Sequence, residues 1–194
     1  MKTHSLTRCI VGSLLLFCAG AQAQLSKDAV APAFSLKATD GKTHTLADAK
    51  GKWVVLEWLN HGCPFVKKHY EAGKMQALQS KYTGTGKVVW YSIVSGKGEA
   101  TADAAFKKPA ATAVLLDPSG ETGHAYGATN TPQMFIINPE GKVAYQGAID
   151  DKRTTELADV ATAHNYVETA LDSVLKGGKI AEASHKVYGC TIKY

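Results

Sequence analysis

Residues 54–70 read VVLEWLNHGCPFVKKHY, and this stretch carries the strongest structural signal in the sequence. It begins as a run of apolar and aromatic residues, which is typical of a buried strand. The run breaks at residues 60–62, NHG, a loop signal. Pro64 then suits the first turn of a helix, because that position needs no backbone N–H donor. The sequence therefore places Cys63 where a central strand ends and a helix begins.

Cys63 is the first candidate for a reactive residue. A helix N-terminus presents backbone N–H groups and a dipole that favours negative charge, and the thiolate is the reactive form of cysteine. His61 precedes Cys63, and Lys67 and Lys68 follow it about one turn later. His61 is either a loop residue that tunes the thiol or plain exposed surface. The alternative for Cys63 itself is a small buried hydrophobic residue, as most cysteines are.

The first residues have the pattern of a secretory signal peptide. Two basic residues precede a mostly apolar run over residues 10–19, and residues 21–23, AQA, form a small-x-small cleavage site. We therefore expect a signal peptide over residues 1–23 and a single domain over residues 24–194, either periplasmic or secreted. No other segment is long and apolar enough to cross a bilayer, so no membrane span is expected.

The charge of the chain argues against a nucleic-acid partner. Removal of Lys2 and Arg8 with the leader lowers the formal net charge from +5 to +3. The remaining lysines are scattered, and no basic stripe is interleaved with aromatic residues as nucleic-acid binding would require.

The cysteines leave three readings open. Cys9 and Cys18 lie in the expected leader, so Cys63 and Cys190 would be the cysteines of the mature chain, in an oxidising compartment. They form one structural disulfide, or they join two chains, or they act as an attacking and a resolving thiol. Because Cys63 is set for reactivity and a permanent bridge would waste that setting, the resolving role for Cys190 is favoured.

The order of the predicted elements indicates an α/β fold. Turn and helix-stop signals separate the segments, and a tail over residues 178–194 is expected to be mobile. The segments are strands at 33–36 and 43–46, strand 53–59, helix 64–82, strand 88–94, helix 99–107, strand 114–116, a short helix ending near 127, a hairpin over 131–146 and helix 154–176. This alternation predicts a central mixed sheet with helices on both faces.

In this order the residues resemble the thioredoxin fold, and four blocks narrow the resemblance. Residues 60–67 (NHGCPFVK), 131–135 (TPQMF), 145–151 (YQGAIDD) and 189–193 (GCTIK) are similar to the peroxiredoxin-like branch of the redoxin (alkyl hydroperoxide reductase/thiol-specific antioxidant) family. The resemblance implies a thioredoxin-like fold with thiol redox chemistry. It also implies that Pro132 is cis and lies against the sulfur of Cys63, whereas an ordinary edge-strand proline would be trans.

The chain departs from the family pattern at three positions, one of which is Leu56, where peroxiredoxins carry a proline. Val66 stands where thioredoxins carry the second cysteine of Cys-x-x-Cys, so no local disulfide can form. Asn60 stands where peroxiredoxins carry the threonine that activates peroxide, and Arg153 is a candidate for a cation at the site. The resemblance therefore leaves peroxide and protein disulfide both open as substrates.

The function predicted from these residues is that of an exported thiol-dependent oxidoreductase or antioxidant protein. Cys63 would be the redox-active thiolate, resolved by Cys190, and Pro132 would complete the catalytic group. The supporting residues would be Asn60, His61, Pro64, Thr131 and Arg153. No cofactor is expected, and the partner would be an external thiol reductant or a thiol/disulfide protein.

The alternative function is that of a non-catalytic binding module that kept the fold and binds a redox partner or a metal. A metal site would have to be assembled from distant residues, because only one cysteine lies in the loop. Asp150 and Asp151 are interpreted as turn residues or helix caps.

Overall fold

The computed structural model describes residues 25–96 and 110–194. The predicted signal peptide and the predicted helix over residues 99–107 lie outside the described residues. The elements of the described part, in chain order, are β1 (Ser35–Ala38), β2 (Thr43–Thr45), a 3-10 helix (Leu46–Ala49), β3 (Trp53–Trp58), α1 (Pro64–Glu71), α2 (Lys74–Thr83), β4 (Val88–Ser95), β5 (Ala113–Asp117), α3 (Glu121–Tyr126), β6 (Asn130–Thr131), β7 (Gln133–Ile137), β8 (Val143–Gly147), a second 3-10 helix (Leu157–Ala161), α4 (Tyr166–Leu175) and β9 (Cys190–Thr191).

A seven-stranded mixed sheet organises the described part of the chain, in the order β2-β1-β5-β4-β3-β7-β8. Strands β3, β4 and β5 are parallel, whereas β7 runs antiparallel to β3 and forms a hairpin with β8. The central strands β3 and β4 are near-continuous apolar runs because both faces of the sheet are covered. The expected mixed sheet and its closing hairpin are confirmed.

Helices cover both faces of this sheet, as predicted. One core lies under α1, α2 and α4 and includes Val66, Met75 and Leu171. The other core lies under α3 and the first 3-10 helix, where Trp58 packs on Tyr126 and Phe135 with ring centroids 5.4 and 5.2 Å apart. Apolar burial on both faces is the main stabilising contribution to such a three-layer fold.

Two of the expected helices are each divided. The helix expected over residues 64–82 is interrupted at Gly73, which has a φ of 70° that a glycine adopts without strain. The helix expected over residues 154–176 is a 3-10 helix followed by α4, which begins at Tyr166 with Asn165 as its N-cap. The Asn165 side chain accepts a hydrogen bond from the backbone N–H of Glu168 at 2.8 Å, so a local capping residue starts a separate helix there.

The tail is docked instead of extending away from the domain. β9 pairs antiparallel with β6, so that Thr191 lies opposite Asn130 and Cys190 lies opposite Thr131. Tyr188 and Ile192 are buried on either side of this short strand. These apolar anchors hold the segment that the sequence indicated as mobile. None of the helices in the described ranges has the length and apolar character that a bilayer span needs.

Candidate active site

Cys63 lies at the junction that the sequence predicted. It is the N-cap residue of α1, with Pro64 at the first helical position. Its backbone N–H donates to the carbonyl oxygen of Asn60 at 3.1 Å, which closes the loop between β3 and the helix. The Cys63 side chain is only 1% exposed, so the loop and its neighbours enclose the thiol.

The Thr131–Pro132 peptide faces the sulfur of Cys63. The bond is cis, as the family resemblance implied, and the trans alternative is wrong. The Cys63 Sγ donates a hydrogen bond to the carbonyl oxygen of Thr131 at 3.1 Å. The Cys63 side chain makes no capping hydrogen bond with the backbone of α1. The sulfur is therefore positioned by the neighbouring peptide instead of by the helix N–H groups that the sequence suggested.

The loop residues flank the thiol. The Asn60 Oδ1 accepts a hydrogen bond from the backbone N–H of Gly62 at 2.7 Å, so this side chain shapes the turn before Cys63. His61 is partly buried in the same turn, and Pro64 is exposed. Arg153 is exposed in the loop after β8. Burial raises the pKa of Tyr166, and the nearby charge of Arg153 opposes that shift.

Cys190 lies beside the same peptide as Cys63. It is partly buried and directly opposite Thr131 in the antiparallel pair of β6 and β9. Directly opposed residues in such a pair have Cα atoms roughly 4.5–5.5 Å apart. Neither cysteine is in a disulfide. The structure thus brings Cys63, Thr131, Pro132 and Cys190 together around one peptide unit.

Glu57 is a buried acid that the sequence reading passed over. It lies in β3 and is 0% exposed. Its Oε1 accepts from the Tyr70 hydroxyl at 2.8 Å, and its Oε2 accepts from Trp90 Nε1 and Ser92 Oγ at 2.9 Å and from Gln79 Nε2 at 3.1 Å. Burial raises the pKa of Glu57, and these four donors oppose that shift. The sequence did contain a signal for this buried acid, because Glu57 is a charged residue within the apolar run of β3.

A second buried polar cluster joins α1 to the tail. The Tyr188 hydroxyl donates to Asp150 Oδ1 at 2.5 Å, and the other oxygen of Asp150 lies 3.8 Å from His69 Nε2. Burial and then the nearby Lys68 lower the pKa of His69 to about 3, so His69 is neutral at pH 7. Asp150 also caps the turn at Lys152, as expected for a turn residue, but its contact with Tyr188 was not foreseen.

The two lysines after Cys63 have different surroundings. Lys67 is exposed, whereas Lys68 is buried and donates to the carbonyl oxygen of Lys152 at 2.6 Å. Burial lowers the pKa of Lys68, and the charge of Asp150 opposes this shift. Lys68 is therefore engaged with the Lys152 loop. In residues 25–96 and 110–194, no group of three His, Cys, Asp or Glu side chains is arranged to hold a metal ion.

Residues 28–146 match the family model described as AhpC/TSA family, and this span is more than half of the chain. The chain belongs to the AhpC/TSA family. The matched region of this AhpC/TSA member contains Cys63 and the cis-proline peptide but ends before the tail that carries Cys190.

A bacterial relative is similar to part of the chain. Over 128 residues the chain is 30% identical to the thiol-disulfide oxidoreductase ResA of Bacillus subtilis, an alignment that covers 61% of this chain and 65% of the relative. The chain thus spans about two thirds of that relative's length.

Solved structures show the same fold. A hypothetical protein of Sinorhizobium meliloti superposes with a TM-score of 0.70 at 24% identity, over 89% of this chain and 96% of its own. The thioredoxin domain of a thiol-disulfide oxidoreductase from Bacteroides vulgatus gives 0.54 at 19% identity, over 72% and 97%. At these identities the likeness concerns the fold alone, and it confirms the thioredoxin-like architecture.

Proposed function

We propose that this AhpC/TSA member is an exported thiol–disulfide oxidoreductase whose redox pair is Cys63 and Cys190. One observation carries the proposal: the carbonyl oxygen of Thr131 accepts from the Cys63 thiol, while Cys190 lies opposite the same residue. In this proposal Cys190 is the resolving thiol. It takes the role of the second cysteine of Cys-x-x-Cys, a position that Val66 occupies in this chain. The relative named a thiol-disulfide oxidoreductase supports this chemistry.

The reaction proceeds in two exchanges. The Cys63 thiolate attacks one sulfur of a substrate disulfide, so that a mixed disulfide forms and the other substrate sulfur leaves as a thiolate that takes up a proton. The Cys190 thiolate then attacks the sulfur of Cys63 and expels the second substrate thiolate. The substrate gains two electrons, and the pair becomes a Cys63–Cys190 disulfide. An external dithiol protein returns the pair to two thiols by the reverse exchange.

The supporting residues position these sulfurs. Thr131 and Pro132 present the carbonyl oxygen that fixes the Cys63 Sγ, and Asn60 holds the turn that precedes it. Pro64 begins the helix at its first position. His61 lies in the same turn, two residues before Cys63, and is part of the surroundings of the thiol. Arg153 is exposed, where it is available to contact a substrate.

Peroxide reduction is the second candidate, favoured by membership of the AhpC/TSA family. Cys63 would be oxidised to a sulfenic acid with release of water or alcohol, and Cys190 would then form the disulfide with release of water. Against it, Asn60 stands at the threonine position, and its side-chain oxygen is engaged with the Gly62 N–H. Disulfide exchange therefore ranks first.

Export follows from the leader pattern of residues 1–23. The exported compartment would supply disulfide substrates and a thiol/disulfide partner for regeneration. Cell fractionation followed by N-terminal sequencing of the purified chain tests this part. A chain that begins at Gln24 in the periplasm or the medium is the expected result, and an uncleaved cytoplasmic chain would contradict it.

Turnover of two substrates tests the redox function. The protein is assayed for reduction of insulin disulfides and for consumption of hydrogen peroxide, beside Cys63→Ser and Cys190→Ser. We expect Cys63→Ser to be folded but inactive, because a serine hydroxyl can donate to Thr131 in the same way. Cys190→Ser should accumulate a mixed disulfide at Cys63 that mass spectrometry detects. No turnover by the folded wild type would favour the non-catalytic binding module.

A further inference from the structure

The last seven residues lie across the peptide that positions Cys63. The backbone N–H of Ile192 donates to the carbonyl oxygen of Thr129 at 2.9 Å, and the Asn130 side chain donates to the carbonyl oxygen of Gly189 at 3.0 Å. Between these contacts, β9 completes the pair with β6. The segment 188–194 therefore occupies the edge of β6 that another extended chain would need.

The approach of this segment is close enough to require glycine. Gly189 has a φ of 111°, and a Cβ added there would overlap the carbonyl oxygen of Thr131. Gly96 has a φ of 99°, and a Cβ there would overlap the carbonyl oxygen of Lys193. Two backbone positions far apart in sequence are thus shaped for the docked segment, which is evidence of a specific fit.

Side chains anchor both ends of the segment. At its start, the Tyr188 hydroxyl bonds Asp150 and the Tyr188 ring lies 5.9 Å from the Phe65 ring on α1. At its end, the Tyr194 hydroxyl donates to the carbonyl oxygen of Ala128 at 2.6 Å, and the Tyr194 ring lies 3.9 Å from the His124 ring. Between them Ile192 is 8% exposed in the core.

The pairing is nevertheless short. β6 and β9 each contribute two residues, and Tyr194 is 41% exposed. Small units with few buried contacts open at the lowest free energies in a native protein, and short isolated strand pairs are marginal by themselves. In the described part of the fold, we therefore expect this two-residue pair to open at a lower free energy than the seven-stranded sheet.

We propose that the segment 188–194 is a removable cover, which withholds Cys63 from polypeptide disulfides until it detaches. The cover rests on the proposed function, in that Cys63 is the reacting thiol. With the cover docked, Cys63 is 1% exposed and the edge of β6 is occupied. A polypeptide disulfide then reacts at a rate set by opening of the segment, whereas a small disulfide needs a smaller displacement.

Alkylation of Cys63 tests the cover without any turnover. The chain without its leader, residues 24–194, carries Cys190→Ser, so that Cys63 is its one cysteine and the reporter, and it is treated with iodoacetamide or with a maleimide on a large polyethylene glycol. Gly189→Ala should raise the rate with both reagents by about tenfold or more, because the added Cβ displaces the segment from Thr131. Gly141→Ala is the matched control, since Gly141 also has positive φ (79°) but open space around it.

A second variant keeps the proposal decidable if Gly189→Ala does not fold. Tyr194→Ala removes a surface anchor and should raise the rate in the same direction. Hydrogen exchange at the Ile192 amide reports whether the segment has opened. If both folded variants, or the one that folds, alkylate within twofold of the Gly141→Ala control, the cover is overturned.

The outcome separates the cover from the proposed function. Fast alkylation of the opened variants without turnover of any disulfide would sustain the cover and contradict the redox function. The rate at which Cys63 forms a mixed disulfide with insulin, measured with Cys190→Ser in both proteins so that resolution does not enter, gives the second readout. Equal rates with and without Gly189→Ala would overturn the cover while the redox function stands, and a gain with insulin that exceeds any gain with a small aromatic disulfide is the expected result.

Discussion

Glu57 places a carboxyl group in the middle of the sheet, where its protonation depends on the fold. Burial raises its pKa above the ordinary value of 4.5, against the opposing hydrogen bonds from Trp90, Tyr70, Ser92 and Gln79. Above pH 4.5 the unfolded chain therefore loses this proton while the folded chain still holds it. The native state then binds more protons than the unfolded state, so stability falls as pH rises through this interval.

Glu57→Gln removes this titration, and urea unfolding of both proteins between pH 4 and pH 8 measures the effect. The carboxamide places an NH₂ group, which cannot accept a hydrogen bond, against one of the donors around position 57. We therefore expect the free energy of unfolding to fall by about 1–3 kcal/mol near pH 4. That loss should shrink as pH rises, because the wild type alone is destabilised by ionisation of Glu57. A difference that grows with pH would contradict the raised pKa.

Glu168→Gln is the control, because its shift has the opposite sign. Partial burial raises the pKa of Glu168, but hydrogen bonds and charges from Lys74 and Lys81 outweigh it and lower the pKa below 4.5. The stability that Glu168 contributes is present above pH 4.5 and is lost as pH falls below it. The difference between wild type and this variant should therefore increase with pH.

Local sequence predicted those site residues whose setting is local. Cys63 and Pro64 indicate a helix start within two residues, whereas the position of the Thr131–Pro132 peptide against the thiol was implied by the family resemblance. The polar partners of Glu57 come from α1, α2 and β4, up to 35 residues away. Nothing in a single strand specifies which distant donors will converge on it, so this cluster could not be read from the sequence.

At the scale of elements, Asp117 joins β5 to α3. The side chain is 1% exposed and accepts from Ser95 Oγ at 2.6 Å and from the backbone N–H groups of Gly123 and Thr122 at 2.9 and 3.3 Å. Asp117 therefore accepts hydrogen bonds from the free backbone N–H groups in the first turn of α3, although the N-cap residue is Gly120. A single strand-end carboxylate thus fixes the entry of the helix.

Asp117→Ala should destabilise the protein by about 1–3 kcal/mol, because it leaves buried donors of Ser95 and α3 without their acceptor. Chemical denaturation at pH 7 measures this loss. Asp40→Ala is the matched control: Asp40 is exposed and accepts from the Lys42 N–H at 3.0 Å in a turn. That change should stay within about 0.5 kcal/mol, and equal losses in both variants would refute a specific role for Asp117.

Helix existence was predictable, whereas helix boundaries were less so. Apolar spacing indicated helical segments after Cys63 and near the C-terminus. The break at Gly73 and the new start at Asn165 depend on whether a permissive residue is used as a terminus, and spacing alone does not decide this. Gly73 and Asn165 are local residues that permit a helix end or start, and packing against the sheet favours their use as such.

At the scale of the whole molecule, alternation of strands and helices predicted the sheet and its two covered faces. It did not predict the place of the tail, because the groove that receives residues 188–194 is built by segments near residues 96, 120 and 130. The cues are small: Gly189 before Cys190, and apolar anchors at Tyr188, Ile192 and Tyr194. These residues indicate a docked tail only when the surface that receives them is known.

The docked tail has a consequence for stability in the two redox states. A Cys63–Cys190 disulfide would close a loop of roughly 130 residues and would restrict the unfolded chain strongly. In the folded chain Cys190 already lies opposite Thr131, whose carbonyl contacts the Cys63 thiol, so the bridge would need little rearrangement. The oxidised protein should therefore be more stable than the reduced protein.

Urea unfolding of the protein, oxidised by one equivalent of peroxide or kept in excess dithiol, measures this difference. We expect oxidation to stabilise the wild type by about 2–4 kcal/mol, because the bridge acts mainly on the unfolded chain. Cys190→Ser should abolish the difference while leaving the reduced stability close to that of the wild type, since Cys190 is at a partly buried edge. Peptide mapping must show the Cys63–Cys190 linkage in the oxidised sample. Equal midpoints for the oxidised and reduced wild type, with that linkage present, would mean that the bridge strains the docked tail as much as it restricts the unfolded chain.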